Sequence, residues 1–325
     1  MNISQIEKEI EELKNSKDDF EQKLSKEFEQ YREVKMNSLQ DMLNVYENIL
    51  NTSNEICNKT CSNIKLYNSL IDENSTRKFN KIQKEFRESY FELKKHIAVL
   101  SSGIQGEKDT LKALELYNDE IEILQSLCTR IGDYIYEHDF IVINEYGIFS
   151  IEVKNNSNHN VYISEQGICN GKNLIKQSKQ HFHSLRRCLS DTEYSKVPIH
   201  TLIVFTNDKN TVKSEQNTIP ICYRYNIDDV IFDSDRYKKC IDKNELKTVK
   251  SVIEEKCRDN HLKYTLDFNF ESYISKLADF LLNENLNYLK KQKSKLENEE
   301  GSTGATLFKV GIGLLQLLIG WIDNH

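Results

Sequence analysis

Residues 1–102 contain neither glycine nor proline; the first glycine is Gly103. So long a run without a backbone breaker, rich in Glu, Lys, Gln and Leu, predicts extended helices. Ile3, Ile6, Ile10, Leu13, Phe20, Leu24 and Tyr31 follow the alternating three-and-four spacing of a coiled-coil seam, which Lys17 and Glu27 interrupt. Phe79, Ile82, Phe86, Leu93, Ile97 and Leu100 supply a second apolar stripe. Between the stripes, Asp72-Glu73-Asn74-Ser75 reads as a turn with a helix cap. The expectation is two long helices folded back on each other, an arm that pairs subunits as a homo-oligomer or spaces them, with a solvated helical extension as the alternative.

Beyond the arm the period changes from helical to alternating. Asp139-Phe140-Ile141-Val142-Ile143-Asn144 and Ile148-Phe149-Ser150-Ile151-Glu152-Val153-Lys154 flank Glu145-Tyr146-Gly147 and predict a β-hairpin, with Gly147 giving the backbone freedom a tight connection needs. Residues i and i+2 of a strand point to one side, so Glu152 and Lys154 share a face. The same rule sets Ile141 and Ile143 in phase with Asp139. An aspartate on one strand and a Glu-x-Lys on the next is what a metal-dependent phosphodiesterase needs. Two carboxylates share a hard divalent cation, and a lysine beside them orients water or steadies developing charge. An ordinary amphipathic hairpin with a surface ion pair has the same tripeptide, so the flanking sequence carries the weight.

Gly106-Glu107-Lys108 opens a helical run with Leu111, Leu114 and Leu116, and a short apolar strand follows from Ile121 to Cys128. His138-Asp139 and Gly147-Ile148-Phe149-Ser150-Ile151-Glu152-Val153-Lys154-Asn155 come next, then a helix opened by Asn173-Leu174-Ile175-Lys176-Gln177, then Thr201–Asn207 as a buried strand. This order, over roughly residues 103–232, resembles the nuclease-related domain (NERD) family of the PD-(D/E)xK nuclease superfamily. Phe140 stands where that family usually has histidine, and Leu174 where it often has proline. The resemblance implies Asp139 and Glu152 as ligands of Mg2+ or Mn2+, and Lys154 as the residue that positions the water. It also implies Glu107 and Gln177 facing the same site from their helices. The fold it implies is α+β: a restriction-endonuclease-like α/β core with a mixed central sheet, preceded by the helical arm and followed by C-terminal helices.

The net charge of −7 and mean hydropathy of −0.62 exclude a tight binder that attracts DNA through its overall charge. Contact with nucleic acid must come from a local patch. The helix from Asn173 to Leu189 offers Lys172, Lys176, Lys179, His181, His183, Arg186 and Arg187. Lys172, Lys176, Lys179 and His183 fall on one helical face that can track phosphates, or simply be solvated. The eight cysteines are scattered and suit a reducing cytoplasm rather than a disulfide framework. Cys57 and Cys61, and His181 with His183 and Cys188, are incomplete as zinc sites, so no structural zinc is expected.

Tyr223–Phe232 is expected to end the sheet, and residues 245–298 again read as helical. Leu307–Ile322 is mostly apolar, with Lys309 and Gln316 as its polar side chains, but it is shorter than the about 20 residues a spanning helix needs. It suits packing within an oligomer, membrane contact, or recognition of a partner. The expected organisation is an arm over 1–102, a nuclease-like domain over 103–240, a helical region over 241–300 and an apolar tail over 301–325. The expected function is a cytoplasmic metal-dependent nuclease acting on DNA first and RNA second, a layout that suits bacterial anti-phage defence. The rival expectations are a scaffold or nucleic-acid-binding protein whose nuclease-like domain no longer cuts, and a membrane-associated sensor acting through the tail.

Overall fold

The computed structural model describes residues 2–61, 81–156, 160–258 and 264–300. The expected turn at Asp72–Ser75, Phe79 of the second stripe and the apolar tail from Leu307 to Ile322 lie outside the described residues. In chain order the first elements are helices α1 (Ile3–Asn15), α2 (Lys17–Arg32), α3 (Leu39–Thr60) and α4 (Lys81–Leu114). Strands β1 (Glu122–Ile131), β2 (Tyr134–Asn144), β3 (Gly147–Lys154), β4 (Asn160–Ile163), β5 (Ile168–Cys169) and β6 (Lys172–Asn173) follow. Then come α5 (Leu174–Cys188), β7 (Ile199–Phe205), β8 (Thr211–Ser214), β9 (Ile221–Tyr223), α6 (Ile227–Ile231), α7 (Leu246–Cys257) and α8 (Phe270–Glu300). The chain divides into two compact units, Met1–Ala98 with Tyr264–His325, and Val99–Lys263.

The first unit is helical, but the arm is not the pair of long helices that the absence of breakers predicts. Ser16 interrupts it without glycine or proline, its hydroxyl donating to the Leu13 carbonyl at 3.0 Å. A second break precedes α3, which Ser38 caps by accepting from the Asp41 amide at 3.1 Å. Within that break Tyr264 donates its amide to the Met36 carbonyl at 2.9 Å, so a tertiary strand-like contact replaces helical continuity. The apolar stripe is used inside the unit. Ile6, Leu13, Phe20, Leu24 and Phe28 are buried, with α1 and α2 packed along α8. Lys17, which breaks the stripe, pairs with Asp279 of α8 at 2.6 Å. Much of the expected seam is therefore covered within one chain.

The helical region expected over 241–300 is also divided. The α7 segment belongs to the sheet-containing unit and α8 to the helical one. Among the described residues, no helix is long and apolar enough to cross a membrane.

The second unit has the expected α+β architecture, a mixed central sheet with helices before and after it. The five strands run in the order β1-β2-β3-β7-β9. The β1, β2 and β3 strands are antiparallel, while β7 and β9 continue parallel to β3. Both faces are covered, which is why the strands read as near-continuous apolar runs. On one face Leu124, Ile141, Ile143 and Ile148 pack with Leu185 of α5 and with Val249 and Ile253 of α7. On the other, Phe140, Val142, Phe149 and Ile151 pack with Leu114 of α4 and with Ile227 and Ile231 of α6. Each such side chain contributes about 1.5–3 kcal/mol on full burial. The hairpin loop is Glu145-Tyr146, closed by the Asn144↔Gly147 pair. Gly147 has φ +135°, and a Cβ there would stand 2.7 Å from the Pro198 carbonyl, so both conformation and space require glycine.

Candidate active site

Asp139, Glu152 and Lys154 lie where β2 and β3 separate, with Glu107 near enough to act on Asp139 electrostatically, whereas among the described residues Gln177 makes no hydrogen bond or ion pair with them. The β2–β3 ladder runs from Asn144↔Gly147 to Phe140↔Ile151. Beyond it the Val153 amide donates to Asp139 Oδ2 at 2.7 Å, so a carboxylate takes the place of a strand partner. Opposite, the β1–β2 register passes from Gln125↔Phe140 to Leu127↔His138, over Ser126 with its positive φ of 49°. This kink breaks the strict alternation assumed for β2. Nδ1 of His138 lies 2.9 Å from Oγ of Ser150, which pairs in register with Ile141. His138 thus shares the face of Ile141, although simple alternation puts the two on opposite sides. The distortion is a tertiary feature: it lets Asp139 leave the ladder.

Glu152 is buried and Lys154 nearly so, and the Lys154 ammonium pairs with Glu152 Oε1. Oε2 of Glu152 is buried with no hydrogen-bond partner. His181 Nδ1 of α5 lies 3.8 Å from it. That contact is not an ion pair at neutral pH. Burial pushes the His181 pKa down more than Glu152 raises it, and Lys154 lowers it further. Asp139 has its carboxyl pKa pushed well above the usual range by burial, then by the neighbouring Glu152 and by Glu107. Glu107 is raised from 4.5 to about 7 by burial, then by Glu137 and by Glu152, while a hydrogen bond with Gln125 opposes the shift. Half-buried acids whose pKa values are raised by burial and by neighbouring carboxylates form a site with a shortage of positive charge.

Glu107 lies in the interior of α4, not at the start of a helix as Gly103 and Gly106 suggest. Gly106 has a different purpose. A Cβ there would stand 2.8 Å from Asn155 Cβ and 3.1 Å from Thr206 Oγ1, so glycine lets α4 approach the ends of β3 and β7. Ser102 and Asn155 tie the two together: Asn155 donates to the Ser102 carbonyl at 2.8 Å, and the Ser102 hydroxyl to the Asn155 carbonyl at 3.2 Å. Gly106→Ala is expected to lower stability by about 1–3 kcal/mol through overpacking, outweighing the helix propensity it gains. A melting curve of that variant at or above the wild-type temperature would remove this account of Gly106.

Asn173 caps α5, accepting from the Lys176 amide at 2.8 Å. Ser178, His181, Ser184 and Leu185 form its buried stripe, and Gln177 lies half-buried one turn before His181. Lys172, Lys176, Lys179, His183 and Arg187 are exposed. Arg186 is instead occupied by its own chain, donating to the Ser195 carbonyl and, at 2.7 Å, to the Val197 carbonyl.

Sequence reasoning did not assign His138 to the site and placed His181 in the basic patch and in an incomplete zinc set. His138 Nε2 lies 3.1 Å from Thr129 Oγ1 and 3.2 Å from Ser184 Oγ, and its ring is 4.6 Å from that of His181. Burial, and then His181, hold its pKa well below 6.5. A neutral, hydrogen-bonded polar cluster thus backs the carboxylates. Only the adjacency of His138 to Asp139 and the four-residue step from Gln177 to His181 pointed to it. Phe140, at the family's usual histidine position, is a fully buried core residue.

Among the described residues, no three His, Cys, Asp or Glu side chains already stand as a complete ligand set. The donors nevertheless suit a hard cation: two adjoining carboxylates, one with a buried oxygen free of hydrogen bonds. No curated protein matches the chain. A crystal structure described as a protein of unknown function, AF1548, is 17% identical over 58% of this chain and 98% of its own. Its TM-score of 0.25 makes the likeness too slight to inform the fold. Residues 102–206, which contain Glu107, Asp139, Glu152, Lys154 and Gln177, match the model of the nuclease-related domain.

Proposed function

We propose that this domain is a metal-dependent nuclease that hydrolyses phosphodiester bonds, with DNA as its first substrate and RNA as its second. The observation that carries the reading is the half-buried Asp139 near buried Glu152, which pairs with Lys154 and has its Oε2 left without a hydrogen bond. Asp139 and Glu152 would hold Mg2+ or Mn2+. When bound, such an ion neutralises phosphate charge and lowers the pKa of a water molecule. Lys154, anchored by Glu152 Oε1, presents its remaining N–H donors to the attacking water or to a phosphate oxygen. Glu107 in its raised state can hold a proton near neutral pH and release it as positive charge arrives. Neutral His138 and His181 fix the wall behind Glu152 without adding charge. The exposed Lys172, Lys176, Lys179, His183 and Arg187 supply the local phosphate-attracting surface that an acidic chain needs.

The test is cleavage by the purified full chain of plasmid, linear duplex, single-stranded DNA and RNA, with Mg2+, with Mn2+ and with EDTA. Metal-dependent cutting is expected, strongest on DNA. Cutting that persists in EDTA, or none on any substrate over the full range of protein concentration, would overturn the reading. The second outcome would favour a nucleic-acid-binding scaffold.

A further inference from the structure

The parallel strands β3, β7 and β9 end together. Lys154 pairs in register with Phe205, and Phe205 with Tyr223, each the last residue of its strand. Directly paired residues project to the same face, so Tyr223 stands in the row of Lys154 two strands away, about 10 Å. In open α/β sheets, ligands gather outside the carboxyl ends of parallel strands. The end of this row carries a platform. The rings of Tyr223 and Tyr225 stack with centroids 5.2 Å apart and planes 4° from parallel. Tyr223 is rigidly held. Its hydroxyl donates to the Asn210 carbonyl at 3.0 Å and accepts from the Val212 amide at 3.1 Å, and its own amide donates to Asn226 Oδ1 at 2.9 Å. Tyr225 is 66% exposed. A large aromatic ring laid flat on an immobilised partner and left open to solvent gains little for the fold, while every nucleobase has a face to match it. The segment that holds the Tyr223 hydroxyl is flanked by exposed Lys209 and Lys213, which suit a phosphate backbone.

We infer that Tyr225, stacked on Tyr223, is a subsite for an unpaired base of a nucleic-acid strand whose backbone reaches Lys154. This rests on the nuclease reading for its location, but binding can be measured without cutting. A separation of about 10 Å corresponds to roughly two or three nucleotides along a strand. The bases of an intact duplex are stacked on one another and cannot use the platform, so the substrate end or segment held here is single-stranded.

The experiment is fluorescence anisotropy of labelled oligo-dT, oligo-rU and a blunt duplex with the full chain in EDTA, for wild type, Tyr225→Ala and Tyr225→Phe. Tyr225→Ala is expected to weaken single-strand binding about tenfold, the loss of one stacked base. Tyr225→Phe should bind like wild type, duplex binding should not respond, and the melting temperature should stay unchanged. The dT and rU arms distinguish DNA from RNA as the source of the base. Single-strand binding that is absent in wild type, unaltered in Tyr225→Ala, or reduced equally for duplex would overturn the inference. If cleavage fails while Tyr225-dependent binding holds, the nuclease reading falls and the platform stands. If cleavage holds without that dependence, the platform alone falls.

Discussion

Glu152→Gln is expected to remain folded and to lose metal-dependent cleavage by about a thousandfold or more. The substitution keeps the shape of a side chain that lies inside the sheet and removes the charge shared by the whole site. Its Oε1 anchors Lys154, and its Oε2 is the buried oxygen without a hydrogen bond. Alanine is a poorer test, since it strands the Lys154 ammonium in a nearly buried position, and destabilisation would be mistaken for lost chemistry. Lys154→Ala should cost about a hundredfold while leaving cation binding largely intact, because lysine supplies donors and not ligands. Paired initial rates and melting curves check both variants. Substantial cleavage by folded Glu152→Gln would place the chemistry elsewhere.

The second large effect concerns pH and divalent cations together. Glu107, raised to about 7, and Asp139, raised well above its ordinary range, hold protons in the folded state that the unfolded chain has released. Such groups contribute stability below their unfolded values that is lost as pH rises through their folded values. For Glu107 the window runs from 4.5 to about 7. His138 and His181 have the opposite sign. Their folded pKa values lie below 6.5, so stability is lost as pH falls and the unfolded imidazoles take up protons. The metal-free protein should be most stable near the overlap of these windows and should soften toward pH 8. Mg2+ or Mn2+ should raise the melting temperature at pH 8 by roughly several degrees and have little effect at pH 5. Glu107→Gln should flatten the loss on the alkaline side. These outcomes are read from melting temperatures between pH 5 and 8, with cation or EDTA. An equal effect of cation at both ends of that range would contradict the assignment of these carboxyls.

Much of the candidate site was legible because it is local. The hairpin, the Glu152-x-Lys154 face and the cap at Asn173 depend on neighbours a few residues apart. What escaped depends on contacts across the chain. Gly106 looked like a helix start, whereas its reason is Asn155 and Thr206, which approach it from distant strands. The kink at Ser126 has no glycine to announce it, and it places His138 beside Ser150, Ser184 and Thr129. The helical arm was legible as helix but not as a unit. Its stripe is a buried face, packed within the chain along α8, more than 200 residues later. Periodicity reports that a face is buried and is silent on what covers it.

The most direct test is calorimetric titration of Mn2+ into the metal-free full chain at pH 7.5, for wild type, Asp139→Asn and Glu152→Gln. It needs neither a known substrate nor an activating signal. The account predicts saturable binding with release of protons, weakened roughly tenfold or more in each variant. Wild type that binds no Mn2+, or variants that bind it as wild type does, would show that Asp139 and Glu152 are not a metal centre.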